Sequence, residues 1–205
     1  AKKIEKHKDD IYKKEIPLRR DMRETFTITI DPFDAKDFDD AISFKRLPDG
    51  KYEIGVHIAD VSHFVTEGSA LDTEALHRGC SIYLVDRTIP MLPEVLSNDV
   101  CSLNPNEDKL TFSSVFVMDD TGKVYERWFG RTMINSTHRF TYEDAQESMD
   151  KNGLYHVELQ TLNKIAKKMQ AEKFSRGAIE FEQDEIKFIL DENGKPTGVY
   201  KKERL

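Results

Sequence analysis

The chain has 205 residues, of which 38% are hydrophobic and 34% are charged, and its formal net charge is −7. This length can bury a core, while the charge argues against a free-standing nucleic-acid binder, because such proteins are usually basic. No apolar run approaches the 18 residues of a membrane helix, so no membrane contact is predicted. We expect a cytoplasmic protein in which Cys80 and Cys101 are reduced core residues.

Residues 1–23 are predicted to be a linker or short helix that leads into the first strand, because their apolar residues show little sustained period. This segment is basic, with nine Lys or Arg against five Asp or Glu, whereas the remainder is acidic. The length allows one good-sized domain or two small ones, and no internal repeat or low-complexity segment divides residues 24–205.

An acidic segment lies between two predicted strands. Thr25–Ile30 alternates threonine with apolar residues, and Asp31–Asp40 then holds five aspartates and one lysine. Alternation returns in Ala41–Arg46 and Lys51–Ile58, which are joined by the turn residues Pro48–Gly50. Neighbouring anions disfavour an ordered loop unless a cation shares the site. The sequence therefore predicts a cation site held between core strands.

Two other interpretations of the acidic segment are a solvated loop and a calcium loop. Blocks of like charge are most often solvated surface, but here strands at both ends restrain the segment. An EF-hand loop needs oxygen ligands at positions 1, 3 and 5 and glycine at position 6. Counting from Asp37 places Ala41 at position 5 and Ile42 at position 6, and counting from Asp31 places Phe33 at position 3. The spacing favours a carboxylate cage for catalytic magnesium or manganese.

The rest of the chain alternates strands with helices. A serine cap at Ser69 predicts a helix near 70–78, and period-two patterns predict a second hairpin from Lys109 to Ile134. A capping pattern at Thr141–Asp144 predicts a helix near 142–150, and helical spacing predicts another from Leu159 to Gly177. The fold class predicted from this order is mixed α+β, with largely antiparallel sheets built from hairpins and flanking helices.

Several stretches together resemble the catalytic (RNB) domain of the ribonuclease II superfamily, most closely its ribonuclease R branch. The resemblance covers roughly residues 17–190. The matching stretches are Thr27–Ala41, Val56–His63, Arg78–Tyr83, Ile89–Pro93, Leu96–Ser97, Cys101–Leu103 and Arg176–Ile179. Three long motifs in order make this a specific signal.

The resemblance implies a metal-dependent exoribonuclease that degrades RNA from a free 3′ end to nucleoside 5′-monophosphates. Asp31, Asp37, Asp39 and Asp40 match the family's catalytic metal-binding aspartates, with Mg²⁺ or Mn²⁺ as the cofactor. Tyr83 matches a tyrosine that stacks on a nucleotide at the 3′ end. Two divalent ions held by carboxylates could activate water and stabilise both the attacking and leaving oxygens of a phosphodiester.

By the same resemblance, residues 24–205 correspond to the N-terminal portion of the catalytic domain. The later half of that domain and the flanking oligonucleotide-binding domains of the family have no counterpart before Leu205. We therefore expect the chain alone to digest RNA poorly. The alternative is a noncatalytic RNA-binding or regulatory module that retains the fold.

A metal-dependent phosphatase is disfavoured, because Asp37–Ala41 lacks the threonine or valine expected after a nucleophilic aspartate pair.

Three further side chains have structural interpretations. Since magnesium avoids imidazole, His57 and His63 are predicted to be hydrogen-bonded structural residues. Asp60 is a candidate turn or capping residue.

Overall fold

The computed structural model describes residues 1–179 and 185–202. The strands are β1 (Arg20–Asp21), β2 (Thr27–Asp31), β3 (Asp40–Arg46), β4 (Tyr52–Ala59), β5 (Ile82–Tyr83), β6 (Thr88–Ile89), β7 (Asp108–Met118), β8 (Val124–Asn135), β9 (His138–Thr141), β10 (Glu185–Leu190) and β11 (Pro196–Lys202). The helices are α1 (Lys2–Lys6), α2 (Lys8–Glu15), α3 (Val61–Phe64), α4 (Ala70–Arg78), α5 (Tyr142–Asp150) and α6 (His156–Ser175). Short 3₁₀ and π-helical turns occupy Ile16–Leu18 and Val95–Val100.

The centre of the described structure is a seven-stranded sheet in the order β1-β8-β7-β4-β3-β2-β9. The four inner pairings are antiparallel, whereas β1 pairs with β8 and β2 pairs with β9 in parallel. Two small antiparallel ribbons, β5–β6 and β10–β11, accompany it. The α+β fold, with largely antiparallel sheets built from hairpins and flanked by helices, is confirmed.

Helices cover both faces of this sheet. On one face, α5 and α6 bury two clusters, which contain Ile28, Phe140, Ala145 and Leu159, and Phe44, Ile54, Met118 and Ile165. On the opposite face, Ala41 and Ala59 share a cluster with Leu96 and Val100 of the π-helical turn. The two sets alternate along β3 and β4 because successive strand residues point to opposite faces.

The first 23 residues pack against the sheet. The segment predicted as a linker or short helix forms α1, α2 and β1, and Tyr12 and Met22 are buried in the core. The Arg19 guanidinium has no exposed area and donates hydrogen bonds to Asp60 and Glu15, each at 2.8 Å. A buried cation with two carboxylate partners ties this segment to the end of β4.

Local capping signals were predicted well. The Ser69 hydroxyl accepts from the Asp72 amide at 3.2 Å at the start of α4, and α5 begins with Thr141 accepting from the Asp144 amide at 3.0 Å.

The cysteine prediction was half wrong: both thiols are free and Cys101 is buried, but Cys80 is exposed, because it follows Gly79 at the end of α4. None of the helices in the described ranges is long and apolar enough to cross a membrane.

Candidate active site

The acidic loop, residues 31–40, lies at the ends of two neighbouring strands of the sheet. Strand β2 ends at Asp31 and β3 begins at Asp40, and these strands are antiparallel neighbours in which Ile28 lies opposite Ile42. Pro32 cannot donate a hydrogen bond to a strand ladder, which helps to end β2 at this point. The strand pairing thus returns both ends of the acidic loop to the same region.

The acidic loop forms one wall of a cleft of about 590 Å³, and residues between 81 and 98 form the other. Its charged lining is mostly acidic: Asp31, Asp34, Asp37, Asp39, Asp86 and Glu94, against Lys36 and Arg87. Ser81, Tyr83, Thr88, Ser97 and Asn98 complete its polar lining. An anionic cleft of this kind attracts cations and repels phosphates.

The structure brings four of the five predicted site residues to this cleft. Asp31, Asp37 and Asp39 line it together with Tyr83, whose side chain on β5 is 72% exposed. Asp40 is exposed at the start of β3, opposite Ile58 of β4, and is outside the cleft lining.

The carboxylates nevertheless affect one another. Asp31 is only 8% exposed, and burial raises the pKa of its carboxyl. The Thr29 side chain and the charge of Arg139 oppose this rise in pKa, whereas the charges of Asp40 and Asp39 add to it. Asp39 lies at the cleft surface, where partial desolvation and the charges of Asp37 and Asp40 raise its pKa. A divalent cation would relieve this repulsion.

The donor chemistry fits a hard cation, since all the candidate ligands are carboxylate oxygens. The buried Oδ2 of Asp31 has no hydrogen-bond partner, so one oxygen is available to a ligand. The arrangement is not a closed cage, however: within residues 1–179 and 185–202, no group of three or more His, Cys, Asp or Glu side chains is placed to hold a metal ion. Metal binding by these residues stays a prediction.

Arg139 of β9 holds the first part of the acidic loop. Its Nη2 donates hydrogen bonds to the carbonyl oxygens of Pro32 and Phe33, at 2.7 and 3.1 Å. Its Cζ lies 5.3 Å from the centroid of the Phe38 ring, within the range of a cation–π interaction. One guanidinium therefore contacts both halves of the acidic loop.

The second half of the acidic loop is fixed through its backbone. The Phe38 amide donates to the Ser102 hydroxyl at 3.0 Å, and the Phe38 carbonyl accepts from the Leu103 amide at 2.9 Å. The Asp39 carbonyl accepts from the Ala59 amide at 3.0 Å. Since Ser102 and Leu103 are fully buried, these anchors belong to the core.

Comparison with known proteins bears directly on this arrangement. Residues 19–205 match the RNB domain family. The chain belongs to the RNB domain family.

Relatives of this RNB domain include ribonucleases. DIS3-like exonuclease 2 of Schizosaccharomyces pombe is 44% identical over 200 residues, which cover 89% of this chain and 22% of that protein. Ribonuclease R of Thermotoga maritima is 44% identical over 201 residues, covering 95% of this chain and 28% of that protein. The chain thus spans about a quarter of the length of these curated relatives. A relative from Arabidopsis thaliana, 38% identical over 91% of this chain and 19% of its own length, is named an inactive exonuclease.

A solved structure shares the RNB fold. Mycoplasma genitalium RNase R in complex with double-stranded RNA matches with a TM-score of 0.86 and 28% identity, over 99% of this chain and 38% of that one. Together, the family match and the ribonuclease relatives place the chain in an exoribonuclease family.

The anchors of the acidic loop in this RNB domain were missed by sequence reasoning. Ser102 and Leu103 fell within a matched stretch, which was a usable signal, whereas Arg139 stood between the predicted hairpin and the helix near 142–150, where no element was predicted. The structural interpretation of His57 is confirmed, since its buried Nδ1 lies 2.6 Å from the Ser113 hydroxyl. Asp60 occupies the N-cap position of α3, as predicted, but its carboxylate makes no capping hydrogen bond and pairs with the buried Arg19.

Proposed function

We propose that this chain supplies the metal-binding acidic portion of a 3′-to-5′ exoribonuclease that hydrolyses RNA to nucleoside 5′-monophosphates. The observation that carries the proposal is the cleft in which Asp31, Asp37 and Asp39 face the segment that presents Tyr83. Membership of an exoribonuclease family supports it.

The proposed role of the carboxylates is to hold Mg²⁺ or Mn²⁺, with Asp31, Asp37 and Asp39 in the cleft and Asp40 reaching it from the start of β3. The bound ions would supply Lewis acidity and lower the pKa of a water molecule that attacks the phosphodiester. Burial of Asp31 and its unpartnered Oδ2 suit a fixed ligand, whereas Asp39 at the cleft surface is placed to meet substrate.

The proposed role of Tyr83 is to stack on a base near the 3′ end of the RNA. A free tyrosine ring is a sequence-tolerant stacking platform, because every base has a π-face. Tyr83 is exposed at the cleft wall opposite the aspartates, so a stacked nucleotide would place its phosphate toward the carboxylates.

The negative lining of the cleft makes RNA binding depend on cations. RNA phosphates entering beside Asp31, Asp34, Asp37 and Asp39 meet like charge, and only Lys36 and Arg87 of the lining oppose it. We therefore propose that most of the phosphate contacts come from other domains of a longer protein, including the oligonucleotide-binding domains typical of the family. The RNA complex of the Mycoplasma genitalium relative supports RNA as the ligand.

The test is RNA degradation by the purified chain in Mg²⁺ or Mn²⁺, followed with a 5′-labelled oligoribonucleotide that carries a free 3′ end. We expect slow, stepwise shortening from the 3′ end with release of monophosphates. Asp39→Asn should lower the rate at least about hundredfold, because it removes a proposed ligand. Asp34→Asn is the matched control, since Asp34 lines the cleft but is outside the proposed ligand set. Equal loss in both variants would contradict the assignment.

A noncatalytic RNA-binding module is the second candidate. Two observations favour it: the carboxylates of the described residues do not form a closed metal cage, and the Arabidopsis relative is named inactive. This candidate predicts RNA retention in a gel-shift assay, no shortening of the RNA in either metal, and the same retention for Asp39→Asn. Cleavage that Asp39→Asn abolishes would reject it.

A further inference from the structure

We propose that Arg139 is a positioning residue that sets the shape of the acidic loop and thereby the arrangement of its carboxylates for a divalent cation. The part of this inference that concerns the cation rests on the proposed function. The part that concerns the loop rests on contacts within the chain.

The first support is where Arg139 lies. It sits on β9 opposite Thr29 of β2, two residues before Asp31, so its side chain runs beside the strand that delivers Asp31 to the cleft. Its hydrogen bonds to the carbonyls of Pro32 and Phe33 fix the direction of the chain immediately after Asp31. The Pro32 carbonyl also accepts from the Ala35 amide at 3.1 Å, so the same oxygen closes the turn that follows.

The second support is the reach of the guanidinium to the other half of the loop. Phe38 lies between Asp37 and Asp39 in the sequence, and its ring lies beneath the Arg139 guanidinium while its backbone is held by Ser102 and Leu103. Arg139 therefore links the turn after Asp31 to the residue that separates the other two cleft aspartates.

The third support is that the Arg139 guanidinium bonds to the backbone of the acidic loop and not to its carboxylates. Arg139 stands next to the acidic loop, yet among the described residues it makes no ion pair, and its hydrogen bonds go to the backbone carbonyls of Pro32 and Phe33. If the main role of Arg139 were to neutralise the aspartates, its guanidinium would bond to their carboxylates, because hydrogen bonds between two charged groups are stronger than hydrogen bonds to a carbonyl. By bonding to the backbone, Arg139 orders the loop and leaves the aspartate oxygens free for another ligand.

The positive charge of Arg139 and its hydrogen bonds predict opposite changes in cation affinity when the side chain is removed. Loss of a positive charge beside Asp31 would by itself strengthen cation binding. Loss of the clamp would weaken it, typically by 10–100-fold for groups that orient metal ligands. Arg139→Met removes both charge and donors, while Arg139→Lys keeps the charge and some hydrogen-bonding capacity.

The experiment measures Mn²⁺ binding by the whole 205-residue chain, from the electron paramagnetic resonance signal of free Mn²⁺. We expect Arg139→Met to weaken binding about tenfold or more and Arg139→Lys to restore part of the loss. Arg127→Met is the matched control, because Arg127 is an exposed arginine of β8 away from the cleft lining, and it should bind as the unaltered chain does. Binding by Arg139→Met that is unchanged or tighter would overturn the proposal.

Hydrogen exchange gives a readout that is independent of metal. In Arg139→Met the amides of Ala35 and Phe38 should exchange at least about tenfold faster, while amides of β4 and β7 keep their protection. Unchanged exchange in the loop, or a loss of protection spread over the whole sheet, would reject a positioning role. If the unaltered chain binds no Mn²⁺, the metal assignment fails, and this exchange result still decides the role of Arg139.

Discussion

The buried side chain of His57 predicts how much stability the folded chain loses in acid. The imidazole is fully buried, and burial, with a smaller contribution from the charge of Arg20, lowers its pKa from 6.5 to about 4. In the unfolded chain the imidazole takes up a proton as the pH falls below about 6.5, whereas the folded chain resists protonation until about pH 4. Stability associated with neutral His57 is therefore present above pH 6.5 and is lost as the pH falls toward 4.

The size of this loss follows from the difference in pKa between the two states. A gap of about 2.5 units at 1.36 kcal/mol per unit gives a limit of roughly 3 kcal/mol below pH 4, and about 2 kcal/mol of it is expressed by pH 5. Other titrating groups also change the stability over this range. The informative quantity is therefore the difference between the unaltered chain and His57→Asn, which cannot titrate.

The assay is urea denaturation at pH 7.5 and at pH 5, followed by circular dichroism. His57→Asn should be less stable at pH 7.5, because the buried ring is replaced by a smaller group, yet it should lose about 2 kcal/mol less than the unaltered chain on going to pH 5. His77→Asn, at an exposed position of α4, is the control and should follow the unaltered chain. Equal acid losses in the unaltered chain and His57→Asn would refute the reasoning.

Three further outcomes are expected. Asp60→Asn should lower the free energy of unfolding by about 1–3 kcal/mol in urea denaturation, because the buried Arg19 guanidinium keeps Glu15 but loses the charge of its Asp60 partner; a loss below 1 kcal/mol would contradict this. Ser102→Ala should cost about 1–3 kcal/mol and speed exchange of the Phe38 amide, which loses its acceptor; unaltered exchange would count against the anchor. Tyr83→Ala should change stability by less than about 0.5 kcal/mol but weaken RNA binding by about 1–3 kcal/mol, measured by fluorescence anisotropy; equal affinity would argue against stacking.

Local patterns were enough to predict most of the fold. Alternation between threonine and apolar residues identified β2, and side chains such as Ser69 and Thr141 identified helix starts, because these signals depend on neighbours in the sequence. The acidic loop was placed correctly between two strands for the same reason. The pairing of β2 with β3 then brings Asp31 and Asp39 to one cleft, so their proximity follows from the predicted strands.

The non-local contacts were not predictable from these patterns. Arg139 and Ser102 are far from the acidic loop in sequence, and only the completed sheet brings them to it. The packing of Tyr12 was missed because α2 has too short an apolar stripe to reveal a buried face. Asp40 is outside the lining of the cleft, and its role as a ligand stays a prediction.

The distribution of the loop's supports along the chain has a consequence for protein synthesis. A ribosome has made all five aspartates of the acidic loop by residue 40, but the side chains that hold that loop follow at 102 and 139. A nascent polypeptide that has not yet reached β9 carries every carboxylate without the clamp. Under the proposed function, the chain can capture a cation only after β9 has been synthesised and has docked beside β2.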